Sequence, residues 1–149
     1  MTNYIDYLID IEEITQFIPH RDPFVMVDRL LEYSPEKVTS DFQIRPNNIL
    51  VTDGYFQEAG IIENIAQTVA LHFGYEATNK KMPPRVGFIA AIKNFKLFNL
   101  VPIGQALITT TTVTHNMVDV LIVRGESEYL GIPVASCEMR LFLEKITNI

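Results

Sequence analysis

At 149 residues, with 48% hydrophobic and 20% charged side chains, the chain is long enough for one domain with a real core and too apolar to be intrinsically disordered. Its net charge of −6 argues against nucleic acid as the main partner, because binding phosphates needs a basic surface. The single cysteine excludes an internal disulfide, and the three histidines, His20, His72 and His115, are too far apart for metal-ligand spacing, so no metal is expected. No apolar run approaches the roughly 18 residues of a membrane span. The start, MTNYIDYLIDIEE, lacks the basic opening and apolar stretch of a signal peptide, so a cytoplasmic location is expected.

Asp10 as N-cap, acids in the first turn and Pro19 as a stop predict a short helix over residues 10–18. A strand is predicted over 24–33. A second covers 38–45, where Val38, Ser40, Phe42 and Ile44 alternate with Thr39, Asp41, Gln43 and Arg45. Residues 46–57 read as irregular, with turn signals at Asn47-Asn48 and Asp53-Gly54. The one long helical pattern follows at 58–75: Ile62, Ile65, Ala66, Val69 and Phe73 recur at spacings of three and four, and Gly74 is placed to end it. After a basic turn at 79–85 the chain reads as β throughout, with strands at 86–98, 105–116, 117–129 and 133–145. In the last of these Cys137 is expected to be a buried, inert thiol. One long apolar helix beside an antiparallel sheet is an α+β architecture, and so apolar a helix must be wrapped by the sheet on most of its circumference. Residues 1–149 are expected to form a single domain of this kind, a hotdog arrangement.

Three segments carry a resemblance to a known family: IPHRDPFVMVDRLLEYSPEK (18–37), GIIENIAQTVA (60–70) and FIAAIKNFKLFNLVPIGQALI (88–108). Together they resemble the β-hydroxyacyl–acyl carrier protein dehydratases, which are hotdog proteins. The Pro-His-Arg segment, the helix in which a catalytic Glu is followed by Gln, and the Pro-x-Gly turn at Pro102–Gly104 all have counterparts there. One element departs from that pattern. The family's Gly-His-Phe-Pro loop, about fourteen residues before the Glu, supplies its general base, yet no histidine lies between His20 and His72. Gly54-Tyr55-Phe56 mimics Gly-His-Phe, but Tyr55 lies only eight residues before Glu63. With Arg85-Val86-Gly87-Phe88, the pattern is similar to the divergent dehydratase-like proteins of aryl polyene pathways.

The resemblance implies elimination of water from 3-hydroxyacyl thioesters in fatty acid or polyene biosynthesis, which makes the chain a lyase that needs no cofactor. Such a reaction needs a base for the α-proton, an acid for the departing hydroxyl and donors for the enolate-like oxygen. Glu63 is the candidate acid. Ala59, Glu63, Ala66, Gln67 and Ala70 share a helix face, and Gln67 at i+4 can bond to the carboxylate. The alternative for Glu63 is a solvated or structurally paired carboxylate. Backbone N–H groups near Ala59 and Gly60 would serve as oxyanion donors, with Gly60 either allowing close approach of the thioester or merely packing. His20 is the candidate base, against a structural role bonded to backbone; as a base its ring should lie within about 4 Å of Glu63. Tyr55 or Asp53 could approach Glu63 from a second protomer, against the alternative of loop residues with no catalytic duty; Ala59, Gly60, Gln67, Tyr55 and Phe56 are the expected substrate contacts.

The expected partners are an acyl carrier protein or other acyl thioester, and a second copy in a homodimer or dimer of dimers; Arg85, Lys93 and Lys96 could contribute a basic patch for the carrier, the alternative being scattered, solvated charges. Two other readings stay open. One is a non-catalytic hotdog subunit that binds acyl chains or pairs with an active dehydratase; the other is an acyl thioesterase using Glu63 as base.

Overall fold

The computed structural model describes residues 6–83 and 87–144, so Arg85 and the tip of the basic turn lie outside the described residues. In chain order the strands and helix are β1 (Arg29–Tyr33), β2 (Lys37–Gln43), β3 (Val51–Thr52), β4 (Tyr55–Phe56), α1 (Glu58–Asn79), β5 (Gly87–Leu97), β6 (Val101–Pro102), β7 (Ala106–Asn116), β8 (Val120–Tyr129) and β9 (Ile132–Leu143). Six strands form one sheet in the order β1-β2-β7-β8-β9-β5, every pairing antiparallel, and β3-β4-β6 form a small second sheet. The period-two pattern sets which face turns inward: along β8, Leu121, Val123, Gly125 and Ser127 are buried while Arg124, Glu126 and Glu128 face solvent. The inward residues of the sheet pack on Ile61, Ile65 and Val69 of α1. A second cluster, with Ile9, Ile14, Ile18, Val27 and Leu30 around Leu71, covers the opposite side of the helix. The helix is therefore enclosed by the sheet on one side and by the N-terminal segment on the other.

Residues 10–18 form only a 3-10 turn, Ile14–Gln16, not a full helix. Asp10 does accept the Ile11 N–H, but the bonds that follow, Glu13 N to Asp10 O and Gln16 N to Glu13 O, span three residues. The predicted strand at 24–33 joins the sheet only from Arg29, because the backbone of residues 24–26 is bonded to helix side chains instead. We call residues 17–26 the strap. The helix runs to Asn79, beyond Gly74, and ends with Lys81 in the left-handed region (φ 53°). There Met82 N bonds Ala77 O and Lys81 N bonds Thr78 O, the paired pattern that closes a helix C-terminus. Gly74 instead makes room for the strap. A Cβ there would stand 1.9 Å from the Phe17 carbonyl oxygen, so the lack of a side chain lets the strap lie directly on the helix. The irregular stretch at 46–57 contains a small hairpin, β3–β4, turned by Asp53-Gly54, both at positive φ.

Candidate active site

Two helix amides three residues apart grip the strap. Gln67 accepts the Met26 N–H at 2.7 Å and donates to Phe24 O at 2.7 Å, while Asn64 donates to Met26 O at 2.6 Å. Both amides are fully buried, where satisfied polar groups hold one geometry. Gln67 also donates from Nε2 to Glu63 Oε1 at 2.9 Å, fixing the carboxylate that follows the same helix face. Upstream, the Arg21 guanidinium closes the strap's turn by donating to Ile18 O at 2.9 Å and His20 O at 2.7 Å.

This clamp brings His20 to Glu63, with Nε2 3.7 Å from Oε1, inside the distance asked of a base. The side chains keep 29% and 41% of their surface exposed, so the pair is reachable by a ligand. The other ring nitrogen, Nδ1, is buried with no partner among the described residues. His20 and Arg21 line one end of a cavity of about 600 Å³, which runs between strap and helix past Ala66, Ala70, Phe73 and Ala77 to Met82, Ile89 and Leu143. From Ala66 to Ala77 the helix rises about 16 Å, so the cavity is long as well as apolar.

At the start of α1, Gln57 is the N-cap but its amide is turned away, donating to Thr52 O and Tyr55 O. The first helix backbone bond is Ile61 N to Gln57 O at 3.1 Å, which leaves the N–H groups of Glu58, Ala59 and Gly60 ahead of the ladder. Ala59 is exposed; Gly60 is buried against the Phe56 ring, which a Cβ would meet at 2.4 Å. Close packing on Phe56, not room for a ligand, explains the glycine, and Phe56 itself is a core residue whose ring packs at a tilt against Phe42. Tyr55 and Asp53 lie on the exposed side of the small hairpin. Gln67, expected as a substrate contact, has no exposed surface and serves as the clamp.

The remaining sequence candidates lie elsewhere. His72 is buried across the helix from Glu63, its Nε2 3.1 Å from Pro35 O, and burial lowers its pKa from the ordinary value. His115 is exposed on β7. Burial pushes the Cys137 thiol up to about 11, which keeps it protonated and inert. Lys93 and Lys96 are exposed on β5. Asn64 was missed by sequence reasoning: nothing local marks a polar residue on a wrapped helix as a link to a segment 38 residues away.

A helix wrapped by an antiparallel sheet, with Glu63 on its face beside a histidine that lines an apolar cavity, marks the chain as a hotdog protein. Residues 12–139 match the ApeP-like family, described as ApeP dehydratase, and the chain belongs to that family. It is 27% identical to the 3-hydroxyacyl-[acyl-carrier-protein] dehydratase FabZ of Campylobacter lari, over 91% of this chain and 98% of that protein. Among solved structures it is similar to the dehydratase heterocomplex ApeI:P from Xenorhabdus doucetiae, with TM-score 0.80, 15% identity and coverage of 89% and 91% of the two chains. A hypothetical thioesterase from Streptococcus pneumoniae, solved with coenzyme A, shares the fold at TM-score 0.66 and 10% identity, over 80% and 87% of the chains. Among the described residues no helix is long and apolar enough to cross a membrane.

Proposed function

We propose that this chain removes water from 3-hydroxyacyl thioesters delivered by an acyl carrier protein, with His20 as base and Glu63 as acid. The observation that carries this is the 3.7 Å approach of Glu63 Oε1 to Nε2 of His20, a residue that lines the apolar cavity. His20 Nε2 takes the proton from C2 of the acyl group. The C2–H electrons form the C2=C3 double bond, and the C3–O bond breaks as the protonated Glu63 carboxyl gives its proton to the departing hydroxyl. Water leaves, and transfer of the proton from the imidazolium to the carboxylate resets both groups across their short gap. Uncapped N–H groups of Ala59 and Gly60, at the positive end of the helix dipole, would stabilise the developing negative charge on the thioester oxygen. The cavity would take the acyl chain, and Lys93 and Lys96 would meet the acidic carrier. No group in this scheme requires a metal or cofactor, and a cytoplasmic enzyme of fatty acid or polyene assembly fits it.

We further propose a homodimer joined through β5. This edge strand leaves Phe88, Ile89, Ile92 and Leu97 at 39–61% exposure, and an unpaired apolar edge calls for a partner. A second protomer could bring Tyr55 towards the site.

The test is Glu63→Gln assayed with 3-hydroxyacyl carrier-protein substrates. Glutamine retains an acceptor for the Gln67 amide at a partly exposed position, so melting should stay near wild type. Turnover to the enoyl thioester should fall about 10²-fold or more. A second reading, a non-catalytic subunit of a two-component dehydratase, draws on the heterocomplex among the solved relatives and on the absent loop histidine. It prevails if wild type binds acyl thioester but forms no enoyl product. Release of free acid would instead mark a thioesterase.

A further inference from the structure

Asn64 directly follows Glu63 and has no exposed surface. Its carboxamide is used at both ends: Nδ2 donates to Met26 O at 2.6 Å, and Oδ1 accepts from Thr109 Oγ1 on β7 at 2.6 Å. Thr109 in turn lies 2.8 Å from Ser127 Oγ on β8. The Asn64 carbonyl accepts from Thr68 Oγ1 at 2.8 Å, and that hydroxyl is 2.7 Å from Ser40 Oγ on β2. The core polar groups of three strands thus converge on one helix residue, in a network whose members are each satisfied and therefore geometrically specific.

Asn64 is also the member of this network that reaches out to the strap. Gln67 alone would hold the strap at Phe24 O and Met26 N; the third bond, from Asn64 to Met26 O, stops it pivoting about that contact. The bond from Thr109 anchors the Asn64 carboxamide in the core, and its other end fixes the position of the strap, which carries His20. We infer that Asn64 is a positioning residue that sets His20 opposite Glu63 and touches no substrate. The inference rests on the assignment of these two side chains as the proton-transfer pair.

The test compares Asn64→Ala with Thr109→Val, which breaks the same network on the sheet side and leaves the strap contact in place. Three quantities are read: melting temperature, kcat and KM on a 3-hydroxyacyl carrier substrate, and the NMR resonances of the His20 ring. Asn64→Ala should shift the His20 resonances and lower kcat about tenfold or more, with KM changed less than about threefold, because misorientation penalises the reaction more than binding. Thr109→Val should melt lower yet keep the His20 resonances and the kcat per folded molecule. The inference is overturned if the His20 resonances do not move in Asn64→Ala, or if both variants lose kcat alike. Should the alanine variant not fold, Asn64→Leu fills the volume without the amide and gives the same readouts. If wild type dehydrates no 3-hydroxyacyl substrate while His20 still shifts only in the Asn64 variant, the positioning holds and the dehydratase reading falls.

Discussion

Replacing Gly74 by alanine pits two effects against each other at the contact between helix and strap. Alanine favours a helix interior by about 1 kcal/mol over glycine. The new Cβ, however, would stand 1.9 Å from Phe17 O, 2.9 Å from its carbonyl carbon and 3.3 Å from its Cα. Relieving the oxygen contact to 3.0 Å requires a shift of about 1.1 Å, and every atom in the way is backbone, which cannot rotate aside as a side chain would. Overpacking of this kind costs about 1–3 kcal/mol. The net loss is then about 0–2 kcal/mol, or a fall in melting temperature of up to about 8 °C at roughly 2–4 °C per kcal/mol for this size. The displaced residues, Thr15 to Phe17, also line the cavity, so KM for a long acyl substrate should rise with the loss. Circular dichroism melting and steady-state kinetics on Gly74→Ala read both. A variant that melts higher by the full helix-propensity gain, with KM unchanged, would refute the close contact.

Burial lowers the pKa of His72, with Glu76 and Glu36 only partly opposing it, so the fold favours the neutral ring. The unfolded chain takes up the proton first as pH falls through about 6.5; the stability present above that value is lost on further acidification. His72→Gln should flatten this loss, and equal shifts of the urea midpoint between about pH 7.5 and pH 5.5 in both proteins would contradict it. For the assembly, sedimentation at micromolar concentration should show a dimer that Ile92→Lys, placing a charge on the β5 edge, dissociates. A stable wild-type monomer would remove the β5 interface from consideration.

Much of the fold was legible because it rests on local periodicity. The alternation in residues 38–45 and 105–145 marks strands whose inward faces are Val38, Ser40 and Phe42, then Leu107, Thr109, Leu121 and Val123. The helix was legible for the same reason, but its end was not: glycine at 74 looks like a stop, whereas the chain turns at Lys81, a residue with no evident preference for positive φ. The misreadings at 10–18 and 24–33 share one cause. Both segments have the composition of regular elements, yet they lie against a helix whose amides and bare glycine accept them in irregular form. In residues 24–26 the backbone groups are satisfied by side chains 38 to 43 residues away, which no local pattern encodes.

The same asymmetry governs the site. Glu63 and Gln67 could be paired from sequence because i and i+4 are neighbours on any helix, and the bond between them is present at 2.9 Å. The approach of His20 depends on how far along the helix the strap is pinned, and hence on the buried carboxamides of Asn64 and Gln67. One turn of helix is about 5.4 Å, so a strap held one turn higher or lower would separate the imidazole from the carboxylate beyond the reach of a shared substrate. A polar residue on an enclosed helix is costly unless every group finds a partner. Asn64 meets that condition only because Met26 O and Thr109 Oγ1 stand on either side of it. The residues that bring His20 and Glu63 together are therefore those whose partners lie furthest away in sequence, and they become visible only once the chain is folded.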